Sequence, residues 1–312
     1  MNDVVAIVGP TATGKSALAL ALARHLPVEI VNADALQVYQ GFDVGTAKPT
    51  PEERALVPHH LIDVLEPSER YSAGEFSRRA RAAIAEIHGR GGLPVVVGGS
   101  GLYLRALLEG ISPVPQGDPD VRRALEGRLE SEGLAALYRE LEETDPETAA
   151  RLTAGDSQRI LRALEVARVS GIPLSRWIRR QPFGDQRLEA FRIGLTLPRP
   201  ILYDRISARV VRMLDHGWLD EVRGLLDRGL DPSLPAFQAI GYRQLVRYLD
   251  GDLSLEDAIE DIQKETRRFA KRQETWFRKQ PEVTWFDAGD RHELIHRILE
   301  HLERSGLGRA NG

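Results

Sequence analysis

Val4 to Val8 is an unbroken apolar run, the pattern of a strand buried on both faces of a parallel sheet. A helix is predicted from Ser16 to His25, followed by a second short apolar run at Val28 to Val31. Ser72 with Glu75 three residues on reads as a capping box, opening a helix that runs to about Gly89. Pro94 to Val97 is a third buried strand, closed by Gly98-Gly99-Ser100-Gly101. Short apolar strands alternating with helices predict an α/β core with a parallel sheet flanked by helices.

The pattern changes after Pro113 and Pro115. From Asp118 to about Asp185 no strand-like run occurs. Asp118-Pro119 and Asp145-Pro146 each read as an N-cap followed by Pro at the first helical position, and Asp156 is positioned to cap a third helix. Phe191 to Leu197 is strand-like again. The expected organisation is therefore a split core, residues 1–114 and 189–312, with an all-helical insertion at 115–188. The C-terminal third reads as helical. One helix starts at Pro200, one is capped by Ser254 with Asp257 and reaches Lys279, and one runs from about Arg291 to Arg304 before a frayed tail from Gly306.

Length and composition agree with this picture. At roughly 150 residues per domain, 312 residues suggest about two domains. A hydrophobic fraction of 42% is enough to bury a full core. There is no cysteine, which excludes disulfides, Cys-ligated zinc and Cys nucleophiles. No apolar run reaches the ~18 residues of a membrane span, and Met1-Asn2-Asp3 lacks the basic start of a secretion signal. A cytoplasmic location, no membrane partner and a monomeric state are the expectations.

The chemistry starts at the first strand. Gly9-Pro10-Thr11-Ala12-Thr13-Gly14-Lys15-Ser16 matches G-x-x-x-x-G-K-[ST], between a predicted strand and a predicted helix. The glycines let backbone N–H groups turn around an anion, and the helix N-terminus adds partial positive charge. Lys15 supplies a mobile cation, and the Ser16 hydroxyl is a ligand for Mg²⁺. The motif binds a di- or triphosphate without specifying which. Asp34 follows the second strand, at the end of the sheet where ligands bind. An outer-sphere Mg²⁺ partner, a general base and an Asx-turn residue are its three open roles. A Walker-B-like Asp is missing, because Val95-Val96-Val97 ends in Gly98.

These motifs together resemble the bacterial tRNA dimethylallyltransferase (tRNA isopentenyltransferase) family. The matching stretches are GPTATGKS at 9–16, DALQVYQGFDVGTAKP at 34–49, HHLID at 59–63, VGGSGLY at 97–103, DSQRILRALEV at 156–166, AIGYRQL at 239–245 and TRRFAKRQETWFR at 266–278. They occur in order over nearly the whole chain. Ala35 and Ser100 depart from the family, which carries Ser and Thr there.

The resemblance implies transfer of a dimethylallyl group from dimethylallyl diphosphate to the exocyclic amine of the adenosine 3′ of the anticodon in tRNA, with diphosphate released. The loop from Gly9 to Ser16 then holds the leaving diphosphate, with Mg²⁺ as cofactor. By resemblance, Arg205 clamps that diphosphate beside Lys15, Asp34 is the base, and Thr11 and Ser100 are its hydrogen-bonding neighbours. The target base leaves its stack. Asp34, Ala35, Leu36 and Gln37 line its path, with Gln37 reading the adenine edge or holding the vacated position. Arg122, Gln158, Arg159, Ile160, Leu161 and Arg162 match positions that approach the anticodon stem-loop, and Arg243, Gln244, Lys271 and Arg272 complete the expected RNA contacts.

Charge distribution changes the meaning of the net charge of −4, which by itself disfavours nucleic acid. Residues 126–147 carry a net −6, residues 156–187 a net +4 and residues 264–279 a net +5. On a helix, Lys264, Arg267, Arg268, Lys271, Arg272, Arg278 and Lys279 fall within roughly 140° of arc, and Ile259, Ile262, Phe269, Trp276 and Phe277 fall opposite. Only five of the 42 basic residues are lysines, and all five lie in the phosphate loop, the GTAKP segment or this helix. For Lys48 a phosphate or channel contact is expected. His292-Glu293-Leu294-Ile295-His296 matches the H-E-x-x-H zinc pattern, but its apolar stripe of Leu294, Ile295, Ile298 and Leu302 predicts an ordinary amphipathic helix. Three rival functions remain: a P-loop small-molecule kinase, an isopentenyltransferase acting on free adenine nucleotides, and a non-enzymatic RNA-binding switch.

Overall fold

The computed structural model describes residues 4–112, 114–180, 187–305 and 307. Met1 to Asp3, Pro113, the end of the helical block at Asp185 and the tail residues Gly306 and 308–312 lie outside them. The described residues form two compact units, one of residues 1–108 with 188–312 and one of residues 109–187.

In chain order the elements begin with β1 (Val5–Val8), α1 (Lys15–Leu22), β2 (Val28–Asn32), α2 (Pro51–Leu56), β3 (His59–His60), α3 (Ala73–Gly89), β4 (Leu93–Val97) and α4 (Gly101–Glu109). The helical unit holds α5 (Pro119–Glu132), α6 (Leu134–Thr144), α7 (Pro146–Ala149), α8 (Ser157–Ser170) and α9 (Leu174–Arg180). The chain then returns through β5 (Phe191–Thr196), α10 (Arg199–Asp215), α11 (Trp218–Asp227), α12 (Tyr242–Leu249), α13 (Leu255–Arg278), β6 (Val283–Asp287) and α14 (Arg291–Arg304).

The six strands form one parallel sheet in the order β3-β2-β4-β1-β5-β6. The sheet is α/β with helices packed around it, as the strand–helix alternation predicted. β1, β2 and β4 are buried along their whole length, which explains the continuous apolar runs of β1 and β4; β2 also buries Glu29, whose carboxylate pairs with Arg90 and His60. β6 was not foreseen in the helical C-terminal third. Its five residues, Val-Thr-Trp-Phe-Asp, bury only Val283 and Phe286 at the sheet edge, a weaker signal than an unbroken run. β4 sits between β1 and β2, so the chain leaving β1 crosses over it. The carboxyl ends of β1, β2 and β4 therefore deliver the phosphate loop, Asp34 and the 98–101 loop to one place. The approach there is tight: a Cβ on Gly98 would lie 2.3 Å from the Ala33 carbonyl oxygen.

Asp118, Asp145 and Asp156 all cap their helices through their side chains, and Pro119 and Pro146 open the helices after the first two. Ser72 and Ser254 accept from the amides of Glu75 and Asp257. Neither forms a reciprocal box: the Glu75 carboxylate turns to Arg78 and Arg79 instead, and Asp257 takes the Ser254 hydroxyl. The complete box is Thr50 with Glu53 on α2, which the sequence reading passed over.

A second core lies beside the sheet, where α10 to α13 enclose Phe42, Trp218, Phe237 and Tyr242. It holds residues 42–48, the loop that borders the candidate site. Glu221 on α11 accepts from the amides of Asp43, Val44 and Gly45 at 2.8, 2.6 and 3.2 Å and from the Tyr242 hydroxyl at 2.6 Å. Gly45 is obligatory there, since a Cβ would lie 1.9 Å from the buried Trp218 Nε1. Gly45→Ala should therefore destabilise the protein by about 1–3 kcal/mol in denaturant unfolding. Gly224→Ala on the open face of α11, where nothing lies within 4 Å, should be neutral or stabilising by about 0.5–1 kcal/mol.

Candidate active site

The phosphate loop joins β1 to α1 through two glycines and one alanine with positive φ: Gly9 at +133°, Ala12 at +64° and Gly14 at +96°. Gly9 runs against β5, where a Cβ would meet the Leu195 carbonyl oxygen at 2.6 Å. Thr13 is buried and donates to the Pro10 carbonyl at 2.8 Å, locking the turn. Ser16 stands exposed in the first turn of α1. Lys15 folds over the loop and donates to the carbonyls of Gly9 and Pro10 at 3.0 and 2.7 Å.

The loop forms one end of a cavity of about 570 Å³. Thr11, Ala12, Gly14, Lys15, Ser16, Asp34, Gln37, Arg205 and Gln273 all line it, with Arg209 and Arg212 from the same face of α10 as Arg205. Burial pushes the Lys15 ammonium down to about 7, the Arg209 guanidinium adds to that shift, and Asp34 partly opposes it. Burial lowers Arg209 too, again opposed by Asp34. Arg209 also donates to the Thr11 hydroxyl at 3.3 Å. Two desolvated cations and one carboxylate thus face one cavity, a field that favours a polyanion.

Asp34 is half-buried. Its Oδ1 accepts from the amides of Leu36 at 2.8 Å and Gln37 at 3.4 Å, which is an Asx turn, and its own amide donates to Asn32 Oδ1 at 3.2 Å. The turn uses one carboxylate oxygen and leaves the geometry open to a second role for Oδ2. Ala35 and Leu36 are half-buried on the turn itself. Gln37 donates through Nε2 to the carbonyls of Thr46 and Ala47 at 3.0 and 3.1 Å, so only its Oε1 remains to read a base. Ser100 is half-buried beside Gly99, another residue of the cavity wall.

Several sequence expectations change at the level of side chains. Lys48 lines the cavity, as a channel contact would, but it is not free to bind phosphate: its buried ammonium donates to the Tyr39 carbonyl, Asp43 at 2.6 Å and Asp63, so all three donors are spent on the loop. Gln244 is 1% exposed and makes no RNA-facing surface; its Oε1 accepts from the Gly241 amide and its Nε2 donates to Asp261. Arg243 is exposed and lies 3.7 Å from Glu265. In the helical unit, Ile160 and Leu161 belong to the core and support α8 rather than offering contacts. Arg122 donates to Gln158 at 2.7 Å and to Glu126 at 2.8 Å, Arg159 is exposed beside Asp156, and Arg162 donates to the buried Glu165 and the Pro115 carbonyl.

Lys271 and Arg272 are exposed on α13 and line a shallow cavity of about 450 Å³ with Arg105, Trp276 and Lys279. The basic face of this helix is solvent-facing, as expected, but Phe269 is not on the buried side: it is 37% exposed. His292 and His296 are exposed on α14, His296 pairs with Glu300 at 3.0 Å, and among the described residues no group of three His, Cys, Asp or Glu side chains is placed to hold a metal ion.

Two functional side chains escaped the sequence reading. Arg209 lies one helical turn beyond Arg205, so the i, i+4 spacing would have found it. Gln273 falls midway around α13 from the centre of the basic arc, a polar residue in the apolar stripe. It is 6% exposed, accepts from the Thr11 amide at 2.8 Å and donates to the Gly99 carbonyl at 3.0 Å, joining the phosphate loop to the loop that carries Ser100.

A strand–loop–helix cradle at the carboxyl edge of a parallel sheet, with a buried lysine and arginine, defines a P-loop protein that binds a phosphoanhydride. Comparison with known proteins narrows the class. The family described as IPP transferase matches residues 37–280, and that described as isopentenyl transferase matches residues 2–63. The chain belongs to the IPP transferase family. It is 52% identical over 296 residues to the tRNA dimethylallyltransferase of Syntrophobacter fumaroxidans, covering 95% of this chain and 86% of that protein. It is 47% identical to that of Geobacter sulfurreducens, covering 95% and 96%. Among solved structures, the full-length tRNA isopentenylpyrophosphate transferase from Bacillus halodurans is 41% identical with a TM-score of 0.71, covering 99% and 97%. A eukaryotic dimethylallyltransferase acting on tRNA is 28% identical with a TM-score of 0.82, covering 97% and 79%. No helix among the described residues is long and apolar enough to cross a membrane.

The lowered Lys15 value gives a pH dependence. An anion binds the charged form, and free Lys15 loses that charge as pH rises through about 7. Affinity for an organic diphosphate should therefore fall by about tenfold per unit above that pH, with close to one proton taken up per molecule bound at about pH 8. Calorimetry in buffers of different ionisation enthalpy measures the uptake. In Lys15→Arg, whose charge is permanent, the uptake should vanish; its persistence would assign the proton elsewhere.

Proposed function

We propose that this protein transfers a dimethylallyl group from dimethylallyl diphosphate to the exocyclic amine of the adenosine 3′ of the anticodon in tRNA. The observation that carries the reading is the single cavity that presents Lys15, Arg209 and Arg205 together with Asp34. Such a site suits transfer from a diphosphate to an acceptor that must lose a proton; a kinase could use the same groups, and the relatives favour prenyl transfer to an amine. Relatives about half identical over nearly the full chain are tRNA dimethylallyltransferases.

The diphosphate sits against the amides of residues 9–16, with Lys15, Arg205 and Arg209 facing it. Charge on the leaving oxygen grows as the allylic C–O bond breaks, so these donors stabilise the transition state more than the ground state. The amine nitrogen forms the new bond to the allylic carbon, the C–O electron pair leaves with diphosphate, and the amine proton passes to Asp34 Oδ2. The Asx turn holds that carboxylate in one rotamer. Thr11, fixed by Gln273 and Arg209, and Ser100 flank the reacting groups.

Mg²⁺ is the proposed cofactor. Ser16 is the exposed hydroxyl of the loop, Thr13 being spent on the Pro10 carbonyl and Thr11 on Arg209, and no group of three His, Cys, Asp or Glu is placed to hold a metal among the described residues; one hydroxyl suits an ion that stays hydrated and arrives with phosphate oxygens. Bound there, it would neutralise charge on the diphosphate. The exposed Lys271 and Arg272 of α13 and Arg159 of the helical unit, with the half-buried Arg122 and Arg162 beside it, engage the RNA backbone, and binding should weaken with salt.

Incubation with labelled dimethylallyl diphosphate, Mg²⁺ and an anticodon stem-loop should place label on the RNA adenosine, and an unlabelled RNA would overturn the reading. Asp34→Asn keeps an acceptor for the Leu36 and Gln37 amides but cannot take a proton. It should lose about 10²–10⁴-fold in turnover with its melting temperature unchanged. Near-normal turnover in Asp34→Asn would remove the base from Asp34.

A further inference from the structure

Phe269 is out of place by the logic of its own helix. Ala258, Ile262, Ala270 and Phe277 are buried within α13, whereas Phe269 leaves 37% of its surface open. Packing does not require an aromatic ring there. The exposed face of the ring belongs to the wall of the 570 Å³ cavity that also contains Asp34, Lys15 and Arg209. Arg272, one turn further on, lies with its guanidinium carbon 5.8 Å from the ring centroid, a cation–π arrangement that orients the ring and keeps a positive charge at its edge. Gln273, four residues on, anchors this stretch of helix to the phosphate loop through Thr11, so the ring is carried by a rigid support.

A planar apolar face next to a guanidinium is poorly suited to a diphosphate, which takes hydrogen-bond donors. It is well suited to a nucleobase: unstacked bases regain their lost stacking energy on aromatic side chains, and a neighbouring Arg meets the phosphate that accompanies the base. We propose that Phe269 is the stacking platform for the purine ring of the acceptor adenosine once it has left the RNA stack, with Arg272 contacting its flanking phosphate. The inference rests on the proposed transferase function. It adds a residue that touches the acceptor substrate and sets its plane relative to Asp34.

The test is steady-state kinetics with an anticodon stem-loop and dimethylallyl diphosphate, for wild type, Phe269→Ala, Phe269→Leu and Phe269→Tyr. Leucine keeps apolar bulk and loses the π face; tyrosine keeps the face. Phe269→Ala and Phe269→Leu should both lower kcat/KM for the RNA by about 10–100-fold. Phe269→Tyr should stay within about threefold of wild type, and the Kd of dimethylallyl diphosphate measured without RNA should change less than about twofold in all three. Wild-type behaviour in Phe269→Leu would overturn the platform, since bulk alone would then suffice. Weakened dimethylallyl diphosphate binding in Phe269→Ala would overturn it in favour of a wall for the prenyl group. A wild type that transfers nothing to RNA would instead overturn the functional reading on which the proposal stands, an outcome distinct from both.

Discussion

The structure is organised around positive charge held where burial opposes it. Lys15 and Arg209 face the same cavity and both are shifted toward their neutral forms, with Asp34 as the carboxylate that counters them. Such a site is costly by itself, and it becomes favourable when an anion shares it. Preorganised cations in a desolvated pocket are also what a departing diphosphate requires, because they need not reorient while charge develops. The same energetics thus govern both the strain of the free site and its chemical use.

That charge stays in place because the surrounding backbone is over-determined. Among the described residues, four other than glycine adopt positive φ: Ala12, Ala47, Leu61 and Asp63. All lie in the loops that follow β1, β2 and β3. A non-glycine residue in this region is held only by its surroundings, and the holding groups are identifiable. Lys48 joins the Tyr39 carbonyl, Asp43 and Asp63. Glu221 collects three successive amides of the 43–45 segment, and Asn32 donates to the Leu61 carbonyl at 3.1 Å. Asn32 and Lys48 are themselves part of the cavity wall and Glu221 braces the loop beside it, and together these polar groups fix where Gln37 and Asp34 stand.

How much of this was legible in the sequence follows from the kind of signal each feature leaves. β1 and β4 announce themselves because strands buried on both faces need unbroken apolar runs, and β2 and β5 do so despite one charged residue each, Glu29 and Arg192. The helices of the insertion announce themselves through Asp caps and Pro at the first turn. β6 covers one edge and buries only Val283 and Phe286, a broken pattern that merges with its helical neighbours. Within the site, the phosphate loop was legible because its function constrains consecutive residues. Gln273, Arg209 and Glu221 were not, because each acts on a segment about 180 to 260 residues away in the chain. Lys48 and Gln244 show the opposite error: both lie in functional stretches, and polarity alone suggested a ligand contact, whereas burial commits them to the protein's own backbone and carboxylates.

α13 shows how one element can reconcile these demands. At about 100° per residue, a 24-residue helix presents distinct faces along its whole length. One face, carrying Lys264, Arg268, Lys271 and Arg272, stays in solvent as a basic stripe. The opposite face enters the core and inserts Gln273 between the phosphate loop and the 98–101 loop. The helix therefore connects a basic surface to the cationic cradle through a single covalent rod, without a flexible joint. A near-neutral chain can serve a polyanionic partner in this way, because rigid placement of a few cations matters more for recognition than their sum.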